Sequence, residues 1–299
     1  MITVLGPTAT GKTSFAVYLA AQLNGEIISA DSRQVYKGMD IGTGKDIEEY
    51  QYDGQQIPYH LIDIVEPGYE YNVFEFQQDF LKAYEQIEKN GSFPVLCGGT
   101  GMYIESVLKG YKLINVPENE DLREELKLKS DEELEEILAE FKNLHNTTDT
   151  TDRDRLLRAI EIQTYYDKYP DIDTSFPKID TVILGIDFDR RVIRTRISER
   201  LEHRLENGMI EEVKNLIERG VSPDKLKFYG LEYRFITQFL EEEISYNEMF
   251  RRLETAIHQF AKRQMTWFRR MEKQGFEIHW LDGNLSHGEK MMKLMPLLR

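Results

Sequence analysis

Gly6-Pro7-Thr8-Ala9-Thr10-Gly11-Lys12-Thr13 is the stretch on which the fold turns. It matches G-x-x-x-x-G-K-[ST], the phosphate-binding loop, and its flanks supply the context this pattern requires. Before it, Ile2–Leu5 is an apolar run that reads as a buried strand. After it, Ser14–Leu23 carries Phe15, Val17, Tyr18 and Leu19 and reads as a helix. In such a unit the glycines let backbone N–H groups turn toward an anion, and the helix presents its positive end to the same point. Lys12 adds a mobile charge, and the Thr13 hydroxyl suits a Mg2+ ion bridging phosphate oxygens. The loop predicts a bound di- or triphosphate and leaves open which one, and what reaction follows.

Outward from the loop the chain keeps an α/β rhythm. Glu26–Ser29 reads as a strand ending at Ala30-Asp31, and His60–Val65 as another. Asn72 caps a helix marked by Val73, Phe76, Phe80, Tyr84 and Ile87, which Gly91 stops. Phe93–Cys97 is a strand leading into Gly98-Gly99-Thr100-Gly101. Alternating strands and helices imply a parallel sheet with right-handed crossovers, and ligands at the carboxyl ends of its strands. Beyond Gly110 the texture changes: Pro117–Asp173 is polar, acidic and helical in pattern. Val182–Asp187 then returns to the sheet, and the rest reads as helical almost to the end. Ser245 and Glu248 form a capping-box signature before a long helix with Met249, Leu253, Ile257, Phe260, Met265 and Trp267. The expected organisation is a P-loop NTPase-like parallel sheet core over 1–115 and a helical insertion over 116–175. A returning core strand with C-terminal helices follows over 176–299.

Composition narrows the class. The 299 residues are 40% hydrophobic and 30% charged, ordinary for a globular chain. No apolar run approaches the ~18 residues of a membrane span. The first residues lack a basic region and read as a strand, not a signal peptide. One cysteine, Cys97, excludes an internal disulfide framework and a cysteine-cluster zinc site. A cytoplasmic monomer with no membrane partner is expected. The net charge of −15 argues against nucleic acid until its distribution is read. Glu118–Glu140 holds eleven acids against three bases, whereas Arg190–Arg204 has six arginines against two acids. Arg251–Lys273 has seven bases against two acids. Each basic run fits either a solvated helix face or an RNA-facing one.

Asp31 falls just past the second strand, within Ile28-Ser29-Ala30-Asp31-Ser32-Arg33-Gln34-Val35-Tyr36. A carboxylate there is placed to take a proton from a nucleophile. A helix N-cap or a ligand to Mg2+-bound water fits the spacing equally. With GPTATGKT, ISADSRQVYKGMDIGTGK, the HLID segment, GGTGMY, DRDRLLRAIE (Asp152–Glu161) and AKRQMTWFRR (Ala261–Arg270), the chain resembles the tRNA dimethylallyltransferases over nearly its whole length. These are also called isopentenylpyrophosphate transferases. The resemblance implies a P-loop core with a helical insertion that grips the tRNA anticodon stem-loop. It also implies transfer of a dimethylallyl group from dimethylallyl diphosphate to N6 of the adenosine 3′-adjacent to the anticodon.

By that resemblance the loop from Gly6 to Thr13 would hold the donor's diphosphate, with Mg2+ at Thr13. Arg200, and Arg196 one turn earlier, would clamp the same phosphates. Asp31 would be the base, and Ser32, Arg33 and Gln34 would line the site of the flipped-out adenine. Thr100 would contact the reacting region, and Asp154, Arg155, Leu156, Leu157 and Arg158 the tRNA. Phe228, Tyr229 and Trp267 are candidates to stack on loop bases, with core packing the favoured reading of Trp267. Cys97, His60 and His203 read as structural. Lys262-Arg263 and Arg269-Arg270 are the cations offered to RNA phosphates.

The sequence departs from the family pattern in places. Asp46 follows the DIGTGK lysine where proline is common, and Tyr59 stands where histidine precedes HLID. The G-Y-[RK] segment becomes Tyr229-Gly230-Leu231-Glu232-Tyr233-Arg234, with two extra residues. Three rivals remain. An adenylate isopentenyltransferase acting on free AMP, ADP or ATP would have no use for the insertion and basic helices. A small-molecule kinase would leave DSRQ and GGTGMY unexplained. A non-catalytic nucleotide-binding module would bind its ligand without Asp31.

Overall fold

Ile2, Val4 and Leu5 of the first strand, β1 (Ile2–Leu5), are wholly buried because a strand pairs with β1 on each side and helices cover its faces. The structure, a computed structural model, describes residues 1–141, 153–172 and 175–298. The chain divides into two compact units, one of Met1–Tyr111 with Pro177–Arg299, the other of Lys112–Phe176.

The larger unit runs from β1 through α1 (Lys12–Leu23) to β2 (Gly25–Ala30). A small hairpin of β3 (Gln51–Tyr52) and β4 (Gln55–Gln56) precedes β5 (Tyr59–His60), α2 (Val73–Lys89), β6 (Phe93–Gly98) and α3 (Gly101–Leu108). The smaller unit supplies α4 (Glu120–Lys127), α5 (Asp131–Glu140) and α6 (Arg153–Lys168). The larger unit resumes with β7 (Val182–Asp187), α7 (Arg190–Glu206), α8 (Met209–Glu218), α9 (Pro223–Phe228), α10 (Leu231–Leu240) and α11 (Tyr246–Lys273). It ends with β8 (Ile278–Asp282) and α12 (His287–Leu294).

The sheet order is β5-β2-β6-β1-β7-β8, with every pairing parallel. Register decides where the site forms. Leu5 pairs with Gly98 and with Gly185, and Ala30 pairs with Gly98. β1, β2 and β6 therefore finish level. The phosphate loop, the Asp31 segment and the Gly99–Gly101 turn leave the same edge of the sheet.

Two sequence expectations differ from this architecture. Of His60–Val65 only His60 is in the strand, because Leu61 and Asp63 take left-handed backbone at φ 62° and 56°. That turn brings the Asp63 carboxylate to Lys45, whose buried Nζ also donates to Tyr36 O at 2.7 Å and Asp40 Oδ1 at 2.8 Å. The expected run of helices after β7 is interrupted by β8, a five-residue strand on the sheet's edge. Of the helix-start signatures, the Asn72 cap forms as read, whereas the Ser245–Glu248 capping box forms only in its Ser245 half. Asn72 and Glu75 complete a capping box on α2. On α11, Ser245 Oγ accepts from Glu248 N at 3.3 Å, while the Glu248 carboxylate pairs with Arg252.

Helices α7 to α11 share a core in which Ile197, Leu201, Val213, Tyr229, Tyr233 and Leu253 pack with Val35, Tyr36 and Met39. The 36–46 loop is thus held between sheet and helices. Glu212 fastens its far side, accepting N–H bonds from Asp40 (2.8 Å), Ile41 (2.7 Å) and Gly42 (3.0 Å) and the Tyr233 hydroxyl at 2.7 Å. The smaller unit has its own core of Leu126, Leu134, Leu138, Leu156, Leu157 and Ile160. Among the described residues, no helix is long and apolar enough to cross a membrane.

Candidate active site

Gly6 leaves β1 so close to β7 that a Cβ would stand 2.7 Å from Ile186 O. Gly11, at φ 72°, turns the chain into α1 and leaves the helix end without a side-chain cap. The open N–H groups and positive end of α1 therefore face the loop. Thr10 Oγ1 and Lys12 Nζ each donate to Pro7 O at 2.9 Å, which folds the loop on itself. Burial lowers the Lys12 pKa; Arg200 adds to this and Asp31 opposes it. Thr13 lies half-buried in the first turn of α1.

α7 approaches the loop with one stripe of cations. Arg196, Arg200 and Arg204 are four residues apart and share a face. Arg200 donates to the Thr8 hydroxyl, and burial, with Arg204 beside it, lowers its pKa to about 10. Arg204 bonds Asp46 at 2.9 Å. Arg196 stays on the outer side of the loop: its Nε donates to Ala9 O at 2.8 Å and its guanidinium lies over the Phe188 ring.

The opposite wall is built by the motif around Asp31. Its Oδ1 accepts from Arg33 N at 2.9 Å, a turn that fixes the carboxylate just past β2. Thr100, the residue before α3, accepts from Ser32 N at 3.1 Å through Oγ1 and donates its own N–H to Ala30 O at 3.2 Å. Ser32 and Thr100 are thus one hydrogen-bonded unit, directly beside the Asp31–Arg33 turn. Gln34 belongs to its support: it is buried, accepting from Ser29 Oγ at 3.0 Å and donating to Gly44 O at 3.1 Å.

Between these walls is a cavity of about 510 Å3. Thr8, Lys12, Asp31, Ser32, Arg33, Thr100, Arg200 and Arg204 all line it. Helices α9 to α11 close it with Phe228, Glu232, Arg234, Phe260, Arg263, Gln264 and Trp267. Gln264 is buried and bridges the two rims, accepting from Thr8 N at 2.8 Å and donating to Gly99 O at 2.9 Å. Gly101 explains its own place in GGTGMY: a Cβ there would be 2.3 Å from Trp267 Cδ1.

The predicted residues separate by position. Thr8, Lys12, Asp31, Ser32, Arg33, Thr100 and Arg200 converge on the cavity, whereas Gln34 and Arg196 brace it from behind. Trp267 is half-buried wall and not core, with Arg270 over its ring at 3.9 Å. Tyr229 is fully buried core, and Phe228 is exposed at the mouth with Arg33 5.6 Å from its ring centre. In the smaller unit, Asp154 and Arg155 are exposed, and Arg158 is tied to Glu161 and to Val116 O. Leu156 and Leu157 are buried in that unit's core. Asp152, first of the quoted run, is outside the described residues. Sequence reasoning missed Arg204, Glu232 and Gln264. The four-residue spacing on α7 carried a signal for Arg204; the other two had none.

The family model described as IPP transferase matches residues 34–271, and that described as isopentenyl transferase matches residues 1–57. The chain belongs to the IPP transferase family. Among its relatives, tRNA dimethylallyltransferase 2 of Bacteroides fragilis is 59% identical over 97% of this chain and 95% of its own length. tRNA dimethylallyltransferase 1 of Parabacteroides distasonis is 58% identical over 100% and 97%. The crystal structure of tRNA isopentenylpyrophosphate transferase from Bacillus halodurans covers 99% of this chain and 94% of its own, at 30% identity and TM-score 0.72. A eukaryotic dimethylallyltransferase crystallised acting on tRNA has the same fold, with TM-score 0.77 at 24% identity.

Proposed function

We propose that this chain is a tRNA dimethylallyltransferase, transferring the dimethylallyl group of dimethylallyl diphosphate to N6 of the adenosine 3′-adjacent to the anticodon. The observation that carries the reading is one cavity with the phosphate loop on one wall and Asp31 on the other. Lys12, Arg200 and the open end of α1 converge where the diphosphate leaves, stabilising charge that grows as the allylic C–O bond breaks. Asp31, held by its turn, accepts the proton that the amine releases as the C–N bond forms. An aromatic amine is a weak nucleophile, so alignment in the cavity matters as much as the base.

The donor set suits Mg2+ carried in with the diphosphate. Among the described residues no cluster of three or more His, Cys, Asp or Glu side chains forms an ion cage. Thr13 offers a hydroxyl, which fits an ion that keeps its waters and its phosphate oxygens. When bound, it would neutralise part of the leaving group's charge.

The acceptor assay tests the whole: labelled dimethylallyl diphosphate, Mg2+ and either bulk tRNA or free AMP. Label in tRNA alone is expected, and label in AMP alone refutes the reading. The relatives' names and the cations of α7 and α11 support tRNA over a mononucleotide.

A further inference from the structure

Among the described residues lining the cavity, six side chains are cationic and two are carboxylates, Asp31 and Glu232. Asp31 has a role in the proposed reaction, and Glu232 has none. Glu232 lies in the first turn of α10. It shares the cavity lining with Arg200 and Arg204 from α7 and Asp31 from the end of β2, and all three charges act on its carboxylate. Among the described residues no cation forms an ion pair with it within 4.0 Å, although Arg200 and Arg204 line the same cavity. Of the carboxylates acting on Arg200, Glu232 acts most strongly, ahead of Asp46 and Glu49. Lys12, Arg33, Arg234 and Arg263 complete the charged lining.

This places a negative charge beside the arginine that holds Thr8, on the side where a diphosphate would add several more. Like charges at such range oppose one another and favour the neutral form of a carboxylic acid. The remaining parts of the site attract the anion: Lys12, two arginines and the positive end of a helix. Without opposition, such a site would bind donor and released product alike, which lowers KM without raising the rate of the chemical step.

We propose that Glu232 opposes the diphosphate on the Arg200–Arg204 side. Between the pH limits at which the carboxyl is neutral in both states or charged in both, diphosphate then binds with up to one proton taken up from solvent onto the Glu232 carboxylate, and the product diphosphate leaves sooner where that carboxylate is charged. The role rests on reading the cavity as a diphosphate site. Burial already raises the Glu232 pKa, against its own backbone N–H, Arg200 and Arg204, and the bound anion raises it further. At low pH the carboxyl is neutral with or without ligand, so Glu and Gln behave alike. At high pH it is charged in both, and the native protein is at its full disadvantage.

Inorganic diphosphate, titrated calorimetrically into the native protein and into Glu232→Gln from about pH 5 to about pH 9, tests this. The Gln variant is expected to bind about tenfold to a hundredfold tighter at the alkaline end, the advantage vanishing toward the acid end. Buffers of different ionisation enthalpy should show up to one more proton taken up by the native protein. Glu232→Ala, which removes the same charge, should reproduce the trend if Gln folds poorly. A ratio independent of pH, or weaker binding by both variants, overturns the role of Glu232. Absence of diphosphate binding by the native protein overturns the site itself.

Discussion

Replacing Asp31 by Asn separates two things that this carboxylate does. Its Oδ1 accepts the Arg33 N–H at 2.9 Å, and an asparagine oxygen can accept the same bond. The turn, a contribution of about 0.5–1.5 kcal/mol, therefore survives, and the Ser32–Thr100 unit beside it keeps its shape. What the amide cannot do is take a proton. The chemical step should slow by about 10²–10⁴-fold, or about 2.7–5.4 kcal/mol in barrier height. Donor affinity should hold or tighten, because Asp31 is one of the negative charges acting near Lys12. The assay is single-turnover transfer of labelled dimethylallyl to tRNA at saturating concentrations, with diphosphate binding measured in parallel. Asp31→Ala should match Asn in rate and lose the turn's stability as well. A rate for Asp31→Asn within about threefold of the native one refutes the proton-acceptor role. A loss confined to binding would reassign the residue to substrate positioning.

Arg200→Ala removes a charged donor to the Thr8 hydroxyl and should weaken diphosphate binding about tenfold to a hundredfold while slowing turnover. Unchanged values of both in equilibrium titration and steady-state kinetics would take it out of the site. Arg269→Ala on the exposed face of α11 should flatten the log–log salt dependence of tRNA binding by about one unit; an unaltered slope would show that RNA does not meet this face. Gly101→Ala sets a methyl against the Trp267 indole and should destabilise the fold by about 1–3 kcal/mol. Thermal unfolding reads this out, and a midpoint equal to the native one would mean that the indole moves aside freely.

Local chemistry made much of this molecule legible. The phosphate loop, the Asn72 cap and the strand before Asp31 each depend on a few adjacent residues, and each formed as its sequence dictates. β8 was hidden because Ile278–Asp282 is a short edge strand whose only partner among the described residues, β7, lies far back in the chain. The turn at Asp63 is not legible locally because its backbone is held from the 34–35 segment, Asp63 N donating to Gln34 O at 3.1 Å and Ile64 N to Val35 O at 2.8 Å. Trp267 shows the limit most clearly. Its position in the apolar rhythm of α11 suggests core, but α11 turns that residue toward the Gly101 backbone and the cavity. Glu232 and Gln264 reach the site from helices more than two hundred residues after the loop they serve. No local pattern can announce such an arrival.

The amide of Gln264 acts as a rivet. One of its atoms holds a peptide N–H of the phosphate loop and the other a carbonyl beside the acceptor wall, so the two rims cannot shift independently. The same helix carries Lys262 and Arg269, both exposed and outside the cavity lining, within a turn or two of that amide. A tilt of α11 caused by a polyanion against those cations would move both rims together. If RNA meets that face, engagement of the large substrate and the grip on the small one would be coupled through this one amide.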